Sequence, residues 1–151
     1  MSAYQTTDSG ISRGQPRIAW LAIAVLVLWA GCALAADAVP DLTGTWQGTA
    51  QAVAFGQLTH AKPTTKPTFV SVKLTIRVQQ QQGRVFYGIK QSKRASEQLV
   101  GVVGPDKTVS LADEDGYYAG TLRASNKLQL AYLEAGQQSR AAAYIVYKRV
   151  R

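Results

Sequence analysis

From Asp41 to Arg149 the chain repeats one pattern: a short stretch of alternating apolar and polar residues, then a cluster of Gly, Pro, Asn, Asp, Ser or Gln. Alternation with period two describes an extended strand with one face covered and the other in water. Phe69 to Gln79 is the clearest case, with Val70, Val72, Leu74, Ile76 and Val78 on one face and Ser71, Lys73, Thr75 and Arg77 on the other. The first such stretch is Asp41 to Gln51. Its even positions, Leu42, Gly44, Trp46, Gly48 and Ala50, are apolar or small, and Trp46 is its single large anchor.

Six more strands follow at short spacing: Arg84 to Ser92, Glu97 to Val103, Thr108 to Ala112, Tyr117 to Arg123, Lys127 to Glu134 and Ala141 to Arg149. The two faces of the third strand, Phe86/Gly88/Lys90 and Val85/Tyr87/Ile89, are not ranked by pattern. Gly104-Pro105-Asp106-Lys107 and Asp113-Glu114-Asp115-Gly116 have the chemistry of tight turns. Val53 to Thr68 reads as a long irregular connection, because Pro63, Pro67 and a Thr-rich composition oppose a helix or a central strand. Loops of that length are often lids or binding loops.

Regular short strands predict an all-β fold: an eight-stranded antiparallel up-and-down barrel, favoured over a two-sheet sandwich because closure removes exposed edges. A barrel of this size has an interior filled by side chains, or wide enough for one small ligand.

A signal helix is expected before the barrel. Residues 1–17 are polar with Arg13 and Arg17, residues 18–35 form an apolar core, and Ala33-Leu34-Ala35 is a small-x-small cleavage site. The domain division is therefore 1–35 signal peptide and 36–151 barrel, with an uncleaved membrane anchor as the alternative. Leu28-Trp29-Ala30-Gly31-Cys32 also resembles a bacterial lipobox, which would make the chain an envelope lipoprotein through Cys32. Periplasmic or secreted localisation follows, and membrane contact is expected only through the signal segment or that lipid.

Cleavage of 35 residues from the 151 leaves 116, enough for one modest core. Cys32 is the sole cysteine, so the mature barrel is stabilised by packing without a disulfide. The full chain carries a formal net charge of +8. Its basic residues are scattered and do not interleave with aromatics, so no nucleic-acid partner is expected. An acidic partner or an anionic envelope surface suits the charge better.

Gly44-Thr45-Trp46 resembles the Gly-x-Trp of the first strand in calycins, the superfamily of lipocalins, fatty-acid-binding proteins and avidins. Leu42-Thr43-Gly44-Thr45-Trp46 is similar to the opening of avidin-type barrels. The resemblance implies that Trp46 packs at the barrel floor beneath a basic side chain from the last strand, for which Lys148 and Arg149 are the candidates. A cation over an indole face would seal that end and gain a cation–π attraction. The mature chain has one tryptophan only, so biotin binding is not expected. The chain also resembles small uncharacterised exported bacterial proteins, which adds no activity.

His60, the only histidine, has no ligand-type residue at metal spacing near it in sequence, and reads as a solvated loop residue. The run Asp113 to Gly116 is explained by hairpin chemistry without a metal. Glu97 and Glu134 stand alone at strand ends. No metal, cofactor, catalytic residue or enzymatic activity is expected, since no nucleophile motif or phosphate loop is present. Tyr118, Tyr132 and Tyr144 are placed on inner faces, where they either fill the core or line a cavity, with Phe55 and Phe69 at its lid. Two functions are carried forward. One is an exported lipocalin-like protein holding a small apolar or amphipathic molecule in the barrel. The other is a periplasmic protein-binding module, such as a protease or lysozyme inhibitor. An interior cavity above about 300 Å³ with convergent polar groups favours the first.

Overall fold

A computed structural model of the protein describes residues 38–150. The expected signal segment and Cys32 lie outside those residues. Eight strands follow one another: β1 (Gly44–Gly56), β2 (Thr64–Gln82), β3 (Val85–Gln91), β4 (Ser96–Val103), β5 (Thr108–Ala112), β6 (Tyr117–Ala124), β7 (Lys127–Ala135) and β8 (Ser139–Val150). Each pairs with the next in antiparallel register, and β8 closes on β1 from Thr45↔Val150 to Gly56↔Ser139. The result is a closed all-β barrel with up-and-down topology.

Alternation decides what fills it. Trp46 and Ala50 of β1, Ile76 and Val78 of β2, Tyr118 and Leu122 of β6, and Leu128 and Leu130 of β7 form one buried cluster. Strand β3 turns Phe86, Gly88 and Lys90 inward. Its register explains the choice, because Lys90 lies opposite Glu97 on β4 and Gly88 opposite Leu99. A lysine between apolar neighbours would oppose burial, but one facing a carboxylate across a hairpin has a partner for its charge.

Two expectations are corrected. Val53 to Thr68 is mostly strand: β1 runs to Gly56 and β2 starts at Thr64, so only Gln57 to Pro63 lies outside the sheet. Threonine suits a strand. The pairing steps from Ala54↔Thr68 to Gly56↔Thr64 through a bulge that takes up Pro67. Among the described residues, β2 from Thr64 to Leu74 pairs only with β1, since β3 joins at Thr75. The missing N–H of Pro67 therefore costs no bond to a third strand. Gly56 completes the bulge at φ +88°, where a Cβ would meet the carbonyl oxygen of Gln138 at 1.8 Å.

The second correction concerns β8, whose inward residues are odd-numbered. Ile145 and Tyr147 are buried, whereas Tyr144 faces outward and is 50% exposed. The stretch Ala141-Ala142-Ala143-Tyr144-Ile145-Val146-Tyr147 is apolar on both faces and so carries no alternation to read.

Strand lengths make the barrel lopsided. Strands β8, β1 and β2 have 12, 13 and 19 residues, while β3 to β6 have 7, 8, 5 and 8. A tall wall thus faces a low one. The Gln57–Pro63 loop reaches from the first to the second, where Thr59 Oγ1 donates to Asp115 Oδ1 in the β5–β6 turn at 2.9 Å.

Candidate functional site

The end of the barrel below Trp46 is closed by bulk and by backbone hydrogen bonds. Trp46, Leu42 and Tyr147 are almost wholly buried. Trp46 Nε1 donates to the Leu42 carbonyl at 2.8 Å, and the Leu42 N–H donates to Gln81 Oε1 at 2.8 Å. The Gln81 amide nitrogen in turn donates to the carbonyls of Pro40 and Gly83, at 2.8 and 3.0 Å. Arg149 lies over the indole, its guanidinium carbon 4.6 Å from the ring centroid, and donates to the Asp41 carbonyl. Of the two candidate cations it is Arg149 that covers Trp46, because it shares the inward parity of Ile145 and Tyr147. Lys148 is exposed on the outer face.

The opposite end is open inside. A cavity of about 360 Å³ lies between the two walls. Small and aliphatic side chains line the tall wall: Ala50 and Ala54 of β1, Val70, Val72 and Leu74 of β2, and Ala141, Ala143 and Ile145 of β8. The low wall is polar. It presents Lys90 of β3, Glu97 of β4, Asp115 of the β5–β6 turn, Tyr118 of β6, and Tyr132 and Glu134 of β7. His60, from the crossing loop, lies at the rim.

One ion network organises the low wall. Lys90 Nζ is 2.5 Å from Asp113 Oδ2 and 2.8 Å from Glu97 Oε2. Burial alone would lower the Lys90 pKa, but the contacts with Asp113 and Glu97 outweigh it and hold the ammonium above its usual value. Tyr118 donates to the same Asp113 oxygen at 3.0 Å. The other Asp113 oxygen accepts the N–H groups of Asp115 and Gly116 at 3.2 and 2.9 Å, which fixes the turn. A side chain on Gly116 would strike the Tyr132 ring at 2.5 Å, so that turn is also set by a close approach.

Tyr132 donates to Glu134 Oε2 at 3.1 Å, and Ser139 donates to Glu134 Oε1 at 3.0 Å. The Tyr118 and Tyr132 rings pack at a centroid distance of 4.6 Å and stand 5.8 and 5.6 Å from Lys90 Nζ. Burial, followed by the Asp113 charge, pushes both phenols well above their usual range, so they act as donors.

The residues singled out in sequence divide between the two surfaces. Tyr118 and Tyr132 line the cavity. Tyr144 is on the outer face and does not line it, and Phe55 and Phe69, also outward, do not form its lid; Phe69 is 87% exposed. Phe69 has the opposite parity from Val70, and it heads an outer row whose successive cross-strand neighbours are Val53, Ala142, Leu133 and Tyr117. The groups sequence reasoning set aside are the ones the fold assembles: Lys90, Glu97, Asp113, Asp115, Glu134 and His60. Only the Lys90–Glu97 pair had a local signal, since a tight hairpin at Ser92 to Ala95 puts them opposite each other.

The chain matches no protein-family model and no curated protein sequence.

Proposed function

We propose that the protein is a calycin-like small-molecule carrier that holds one amphipathic molecule in the open end of its barrel. The cavity of about 360 Å³ carries this reading, because its polarity is one-sided. An aliphatic portion of the ligand packs against Ala50, Val72, Ala143 and Ile145. Its polar portion meets Lys90, Tyr118, Tyr132 and Glu134. The volume falls in the range of small-ligand pockets, which combine an apolar lining with a few placed polar groups. Trp46 and Arg149 serve the structure, not the ligand. Binding, and not turnover, is the proposed activity, and an exported location follows from the expected signal segment. Native mass spectrometry of the protein purified from its cell envelope is the test. A co-purifying small molecule supports the carrier, and a uniformly ligand-free protein that also takes up no apolar fluorescent probe overturns it.

The outer row supplies a second reading, a module that binds another envelope protein. Phe69, Leu133 and Tyr117 are 87%, 63% and 74% exposed on one row that passes through Val53 and Ala142, and exposed apolar patches mark interaction sites. A stoichiometric protein partner released by Phe69→Ser, with probe uptake unchanged, would favour it.

A further inference from the structure

We propose that His60 Nε2, Glu97 Oε1 and Asp115 Oδ2 form a divalent transition-metal site of the zinc class at the rim of the cavity. This goes beyond the carrier reading and does not depend on it. The three groups come from the crossing loop, the start of β4 and the β5–β6 turn, and are brought together only by closure of the barrel.

The distances suit a shared cation better than direct hydrogen bonds. His60 Nε2 is 3.6 Å from Glu97 Oε1 and 3.4 Å from Asp115 Oδ2, and all three donor atoms lie within 4.8 Å of one another. A good N–H···O contact is about 2.9 Å. Two donors each about 2.0–2.2 Å from a tetrahedral zinc stand roughly 3.4 Å apart. His60 Nε2 is sealed from solvent and has no hydrogen-bond partner, although its ring is 34% exposed overall.

Glu97 is the second observation. Its side chain is 3% exposed, and its Oε2 is held 2.8 Å from Lys90 Nζ. That ion pair occupies one oxygen of the buried carboxylate. Its Oε1 faces His60.

The outer contacts are those of a held ligand set. Lys90 steadies the far oxygen of Glu97, and Thr59 Oγ1 donates to the far oxygen of Asp115. Lys90 is paired with Asp113 and Glu97, and the Asp115 carboxylate beside them makes no contact with that ammonium. Imidazole among the donors selects zinc-class metals over calcium or magnesium. Three protein donors leave a coordination position for water or a donor atom of a bound molecule.

Isothermal titration of zinc into the full chain tests the site, using protein without a histidine tag that has been stripped with EDTA. One equivalent is expected to bind, and His60→Ala and Asp115→Asn are each expected to weaken it by roughly tenfold or more while circular dichroism stays that of the barrel. Cobalt should give a visible ligand-field spectrum that both variants lose. Absence of saturable zinc binding overturns the proposal, as does binding unchanged in both variants. Zinc binding by protein that co-purifies with no ligand and takes up no apolar probe would refute the carrier and leave this site standing; probe uptake without zinc binding would do the reverse.

Discussion

The two ends of the barrel have the same eight strands and opposite interiors. At the floor, inward positions carry Trp46, Tyr147, Leu128 and Val103, and the polar atoms of Trp46 and Gln81 are matched to backbone groups. At the mouth, the positions that continue the same faces of β1 and β8 carry Ala50, Ala54, Ala141 and Ala143, and charge gathers on the opposite wall. Backbone closure fixes the width, and side-chain volume decides whether that width is core or cavity. Stability is therefore concentrated at one end and chemical capacity at the other.

Breaking the floor should have the largest effect. Trp46→Ala removes the largest buried side chain and is expected to cost about 3–5 kcal/mol, read as a fall in the urea midpoint. Lys90→Met follows, at about 3 kcal/mol, because it leaves Asp113 and Glu97 buried beside each other without their cation. Adding Glu97→Gln and Asp113→Asn to that variant should recover much of the loss; a triple variant as unstable as the single one would show that the network does not act through charge.

Ala143→Phe tests the mouth without touching the floor. It should reduce uptake of an apolar fluorescent probe about tenfold or more, with stability changed by about 1 kcal/mol or less, since it fills space instead of displacing neighbours. A large loss of stability would mean that the mouth is packed as tightly as the floor. The smallest effect belongs to Asp41. Hydrogen bonds from the Thr43 N–H and hydroxyl hold its pKa below the usual 3.8. A depressed carboxyl stabilises the fold above 3.8, and the gain fades as pH falls through its lowered value. Asp41→Asn should thus lower the thermal midpoint slightly at neutral pH and not in strong acid, with the difference small because the site is exposed.

How much the sequence reveals also differs between the ends. The floor is legible: Trp46 is a lone large residue in an alternating strand, and a late cation to cover it is found at Arg149. The mouth is less so. Tyr144 and Arg149 are five residues apart, so in a regular strand they cannot both face inward; placing Arg149 over Trp46 would already have turned Tyr144 outward and Tyr147 in. A second overlooked signal is alanine itself. It is disfavoured in strands, so Ala50, Ala52, Ala54, Ala141 and Ala143 on inward positions announce missing volume. His60, Glu97 and Asp115 leave no such trace, because their separations along the chain carry no periodicity and their meeting depends on unequal wall heights.

The overhang of β2 has its own consequence. Closure normally spares a barrel from templating foreign strands, yet Thr64 to Leu74 offers a row of backbone donors and acceptors with no third strand beside it. Lys66, Pro67 and Lys73 stand along that row. Repulsion between like-charged copies and a gap in the donor series are the means by which such an edge resists self-association. The proline that breaks the rule for a strand is of the kind that discourages strand addition at an exposed edge.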